Sequence, residues 1–150
     1  MMPARNLHLG VSMDYVIDHD PTHRVLRLTV TTEVVTKELA DDFNRALLLV
    51  ASRDGPYASI IDLSGVTGTT LSADEVRDFA RLPYPVPGGR TRVVVAKETL
   101  IFGFARMAQL CRDFMGAQFR VVQSLEDAYA MLGVRPEDFT ERVFPIDRAA

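Results

Sequence analysis

The chain from Tyr57 to Ala73 reads Tyr-Ala-Ser-Ile-Ile-Asp-Leu-Ser-Gly-Val-Thr-Gly-Thr-Thr-Leu-Ser-Ala, and it changes character half-way. Ala58 to Leu63 is a short apolar run, too brief for a helix and closed by Ser64-Gly65, so it reads as a buried strand. The second half is a polar loop that feeds a helix. A junction from a central strand into a helix turns backbone amides outward, and open α/β sheets place ligands and partners there. The polar residues of this loop, Asp62, Ser64, Thr67, Thr69 and Thr70, therefore form a candidate site. Asp62 also has a purely structural reading, as an acceptor for loop amides that holds the turn.

The segments around this strand complete an alternating α/β chain. Asp14 to Asp18 and Arg24 to Thr32 are strand-like, and in the second Leu26, Leu28 and Val30 alternate with Arg27, Thr29 and Thr31. With the turn His19-Asp20-Pro21-Thr22-His23 they predict an antiparallel hairpin with one wet face. The two histidines and nearby carboxylates read as solvated turn residues, because an exposed tight turn does not point them all inward. No metal site is expected from them.

Thr36 can cap a helix whose Leu39, Phe43, Ala46, Leu47 and Val50 recur along one side. Arg53-Asp54-Gly55-Pro56 ends it, and the following strand makes a β-α-β crossover with a parallel pair. Ser72-Ala73-Asp74-Glu75 matches a capping box, with Leu71 and Val76 at staple positions. That helix stops before Pro83, and Pro83 to Gly89 is a stiff extended connection that carries Tyr84. Arg92 to Ala96 is the next buried strand.

A third helix is expected from Thr99 to Met115. At about 100° per residue, Leu100, Phe104, Met107, Ala108, Cys111 and Met115 share a core face, while Phe102 and Arg106 lie opposite. Phe102 is thereby expected to be exposed, and with Arg106 it forms a candidate partner contact, both residue types being enriched at interface hot spots. Gln118 to Gln123 is the last strand, and Ser124 caps a final helix that Gly133 ends.

Organisation follows from these elements. One domain is expected over 14–133, preceded by a flexible arm over 1–13. The tail over 134–150 carries Phe139, Val143, Phe144 and Ile146, enough apolar surface to pack on the domain or on a neighbouring subunit. With 150 residues, 47% of them hydrophobic, and a net charge of -3, the chain fits one soluble core rather than a nucleic-acid binder. No apolar run reaches the ~18 residues of a membrane span, so a cytoplasmic protein is expected. The lone Cys111 excludes an internal disulfide and, on the apolar face of the third helix, reads as a small buried thiol.

The order hairpin, helix, strand, helix, strand, helix, strand, helix, together with Ile-Asp-Leu-Ser-Gly-Val at Ile61 to Val66, resembles the anti-anti-sigma factor (STAS) fold. More closely it is similar to the SpoIIAA-like branch, whose members are mostly uncharacterised bacterial proteins. Two further segments carry that likeness, Gly103-Phe104-Ala105-Arg106-Met107 and Ser124-Leu125-Glu126-Asp127-Ala128. The resemblance implies a mixed sheet of about five strands, with an N-terminal antiparallel hairpin and the remainder largely parallel, and about four helices.

It also implies a phosphoacceptor. In anti-anti-sigma proteins an Asp-Ser-Ser-Gly loop carries the phosphorylated serine, and here it aligns with Thr70-Leu71-Ser72-Ala73. Only Ser72 is kept, and it already has a capping role, so phosphoregulation is the weaker implication. No catalytic base is placed beside a nucleophile, and neither a phosphate loop nor metal-ligand spacing is present. An enzyme and a cofactor are therefore not expected. What remains is a regulatory or interaction module, self-associating as a homodimer or binding a protein partner. The alternative is a carrier of a lipid or other small apolar ligand, by analogy of shape with CRAL-TRIO proteins.

Overall fold

The computed structural model describes residues 14–81, 90–114 and 118–144. Tyr84, Met115, Ile146 and the arm before Asp14 lie outside them. Strands β1 (Tyr15–Asp20) and β2 (Val25–Val30) form the expected antiparallel hairpin. A short β3 (Val34–Val35) leads into helix α1 (Lys37–Asp54), which Thr36 caps through its side chain to the Leu39 amide.

Strand β4 (Ala58–Asp62) then pairs parallel with β2. It is followed by a short β5 (Gly68–Thr69) and by α2 (Ala73–Arg81). Next come β6 (Arg92–Val95), α3 (Thr99–Phe114), β7 (Phe119–Val122) and α4 (Leu125–Leu132). A turn of 3-10 helix (Pro136–Asp138) precedes β8 (Glu141–Phe144).

Among the described residues the main sheet has six strands in the order β7-β6-β4-β2-β1-β8. The pairs β2-β4, β4-β6 and β6-β7 are parallel, and β1 is antiparallel to both of its neighbours. The α/β class, the hairpin and the four helices agree with the sequence. The sixth strand was not expected: it comes from the tail, whose residues 141–144 pair with β1 on the same domain. The mixed Glu-Arg-Val-Phe segment is too short and too polar to announce a strand by its own pattern.

β4 is buried along its whole length, which explains its unbroken apolar run. Alternation sends its residues to two cores. Ile61, with Val94 of β6 and Phe119 of β7, faces the layer that contains α1 and α3, while Ala58, Ile60, Val93 and Val95 face α4. Each fully buried aliphatic side chain, such as Ile60 or Leu28, contributes about 1.5–3 kcal/mol.

The orientation of α3 differs from expectation. Its buried stripe is Ile101, Ala105 and Arg112, while Leu100 is 52% and Leu110 63% exposed. Phe102 is half-buried and packs against the main core, whereas Arg106 is exposed as expected. The cause is composition. The segment is apolar almost all round, so its own period does not fix which flank faces the sheet, and packing against α2 and β7 decides.

Candidate functional site

The loop after β4 is held by its own polar groups. Asp62, 5% exposed at the end of the strand, accepts the Ser64 amide through Oδ1 at 2.9 Å. The Thr67 amide and hydroxyl both donate to the Glu33 carbonyl, at 2.8 and 3.4 Å. The Thr69 hydroxyl donates to the Val35 carbonyl at 2.7 Å and accepts the Leu71 amide at 3.0 Å. The Thr70 amide donates to the same Val35 carbonyl at 3.1 Å. These bonds strap the loop to β3 and build the small parallel pair β3-β5. The five candidate residues therefore share one segment, and Asp62, Thr67, Thr69 and Thr70 each contribute a bond that holds it.

Ser72 closes the capping box in both directions. Its amide donates to Glu75 Oε1 at 2.9 Å, and its hydroxyl accepts the Glu75 amide at 3.1 Å. It is exposed, and Asp74 and Glu75 beside it would oppose an added phosphate.

The hairpin turn is less wet than expected. His19 and Asp20 are buried, at 8% and 0% exposure, whereas Pro21, Thr22 and His23 are exposed. Asp20 Oδ1 accepts the amides of Thr22 and His23, and its Oδ2 lies 2.7 Å from His23 Nδ1. Asp138 approaches the same imidazole at 3.9 Å. Asp20, His23 and Asp138 are the one cluster of possible metal donors among the described residues. Asp20 is drawn inward because its carboxylate satisfies the turn amides, an Asx turn. The third donor comes from a segment 115 residues further on, which local spacing does not reveal.

An apolar cavity lies elsewhere. A cavity of about 430 Å³ sits between the sheet and the helical layer of α1, α2 and α3. Its floor is Ile61, Val94 and Phe119, and its roof includes Phe43, Leu48, Val76, Phe79, Ile101, Phe104, Ala105 and Ala108. Thr69 and Leu71 bring the loop after β4 to one end of it, so the loop contributes to this site as wall.

No family model, curated protein or solved structure matches this chain. The cavity is thus read from its own chemistry.

Two arginines lie in its wall while almost wholly buried, Arg92 at 8% and Arg112 at 5% exposure. Arg92 opens β6 and donates from Nε to the Ser59 hydroxyl at 3.2 Å. Arg112 lies in the last turn of α3 and reaches the Phe79 carbonyl at 3.4 Å. Neither was singled out from the sequence, although both left a signal. Arg92 alternates in phase with Val94, and Arg112 falls within about 20° of Ile101 around α3. Cys111 is half-buried beside it. No described helix is long and apolar enough to cross a membrane.

Proposed function

We propose that this chain is a non-enzymatic binding module that holds a small apolar ligand between its sheet and helices α1, α2 and α3. The observation that carries the reading is the cavity, about 430 Å³ with a wall built mainly from aliphatic and aromatic side chains. Ligand pockets run from roughly 300 to 1,000 Å³ and are lined in this way, with a few polar groups that fix orientation. Taking the ~30 Å³ that each water molecule fills in the liquid, there is room for a ligand of roughly 14 non-hydrogen atoms.

The SpoIIAA-like, STAS-type assignment and a cytoplasmic location belong to the same proposal. The observed order of hairpin, helix, strand, helix, strand, helix, strand, helix supports it. Inter-strand amide contacts in solution NMR that give another strand order would remove that support.

Titration of the full chain with dodecanol, followed by amide NMR, tests the cavity reading. Saturable shifts centred on Ile61, Val94, Ala105 and Ala108 are expected. Shifts scattered over the surface, or none, would contradict it.

A second reading, a self-associating interaction module, is favoured by the outer face of α3. There Arg106 and the 63%-exposed Leu110 lie about 40° apart, with Phe102 turned inward. If that face mediates a homodimer, Leu110→Asp converts the dimer to a monomer in sedimentation equilibrium. A wild-type monomer at high concentration removes the reading.

A further inference from the structure

Away from the cavity, the sheet brings an imidazole and two carboxylates together from distant parts of the chain. Asp20 ends β1, His23 lies in the hairpin turn, and Asp138 closes the 3-10 turn that precedes β8. The pairing of His19 with Glu141 sets β8 beside β1 and so carries Asp138 to the turn. One donor atom from each of the three residues lies within 4.8 Å of the other two.

The charges at this spot do not balance. Asp20 is wholly buried, and a buried carboxylate calls for a positive partner. Its Oδ1 is engaged by the amides of Thr22 and His23, while its Oδ2 faces His23 Nδ1, which carries charge only when protonated. Asp138 takes the Arg135 amide at 2.9 Å, and the Arg135 guanidinium stands 3.7 Å away, exposed and shared with Glu137. With neutral imidazole, two negative charges thus meet at one nitrogen.

We infer that Asp20, His23 and Asp138 form a zinc site that clips the hairpin turn to the start of β8. One imidazole nitrogen with carboxylate oxygens suits zinc, whereas calcium takes six to eight oxygens and magnesium an octahedron of them. Two donors about 2.0–2.2 Å from one zinc stand about 3.3–3.6 Å apart in a tetrahedron. The Asp20–His23 and His23–Asp138 pairs, at 2.7 and 3.9 Å, bracket that spacing, and the exposed His23 ring has room to adjust. When zinc binds Nδ1, the proton that Nδ1 shares with Asp20 Oδ2 is given up and neutral imidazole carries its proton on Nε2. Water completes the coordination. The site is independent of the cavity and of what the cavity holds.

The test is calorimetric titration of the full chain, stripped with a chelator and dialysed, with zinc chloride at neutral pH. One zinc per chain is expected to bind saturably, and His23→Gln and Asp138→Asn should each weaken binding at least tenfold. Cys111→Ser should bind like wild type. Zinc at a hundredfold excess over its Kd should raise the wild-type Tm by about 5–10 °C and leave that of His23→Gln unmoved. His23 lies on an exposed turn, so its variant keeps the fold and decides alone where Asp138→Asn does not fold. No saturable heat in wild type overturns the inference and makes the His23–Asp20 contact a turn hydrogen bond. Unchanged zinc uptake by His23→Gln, or its loss in Cys111→Ser, overturns it by placing the metal elsewhere.

Discussion

Asp62 is the residue on which the loop after β4 turns. Its carboxylate is buried at the end of the central strand and accepts the Ser64 amide, so removing it leaves that amide without its acceptor. Asp62→Ala should therefore destabilise the chain by about 1–3 kcal/mol in urea unfolding, and unchanged stability would defeat this account. Tyr15 gives a second residue-scale test. Burial, reinforced by its 2.7 Å hydrogen bond to Asp42, pushes its hydroxyl far above the usual range. The folded state thus keeps a proton that the unfolded chain releases near pH ~10. The stability from this group is complete below that pH and declines as pH rises above it. Between pH 9 and 11, wild type should lose more stability than Tyr15→Phe; parallel losses would count against the buried neutral phenol.

Among the elements, β8 shows how a short strand is fastened. Asp18 of β1 receives Arg27 Nη2 and Arg142 Nε, both at 3.1 Å, and Arg27 also donates to the Tyr129 hydroxyl at 2.7 Å and lies over the Phe139 ring. Asp18 and Arg27 have less than a fifth of their side chains exposed, whereas Arg142 is half exposed. Asp18→Ala is accordingly expected to cost about 1–3 kcal/mol and Arg142→Ala no more than about 1 kcal/mol by chemical denaturation. Equal costs would mean that Arg27 does not depend on Asp18.

The same elements mark how far local pattern reaches. β2, β4, β6 and the side-chain helix caps at Thr36, Ser72 and Ser124 were legible, because alternation, unbroken apolar runs and Ser or Thr at helix starts each have one local cause. β8 was not, since its pairing is imposed by β1 across more than 120 residues. The face of α3 was not either, since a nearly all-apolar helix takes its orientation from its neighbours. That rotation is what hid Arg112, a charge on a buried stripe, and with it a polar part of the cavity wall.

For the whole molecule, the sheet separates two cores, and a cavity opens in one of them. On the α4 side of the sheet Ile60, Val93, Val95, Ala128 and Tyr129 pack together. On the other side α1 stands apart from the α2-α3 pair, and the space between them is the cavity. Polar groups of the loop after β4 hold that wall, since Thr69 and Leu71 both line the cavity and are joined by a hydrogen bond. The half-buried Ala108 offers a way to fill the space, and Ala108→Phe should exclude a ligand while costing little stability, because the ring enters existing volume.

Native mass spectrometry of the full chain after incubation with dodecanol, run for wild type and Ala108→Phe, tests that claim most directly. One bound dodecanol in wild type, lost on denaturation and absent from the filled variant, is the result predicted. Bare protein in both, or equal uptake by both, would contradict the cavity as the binding site.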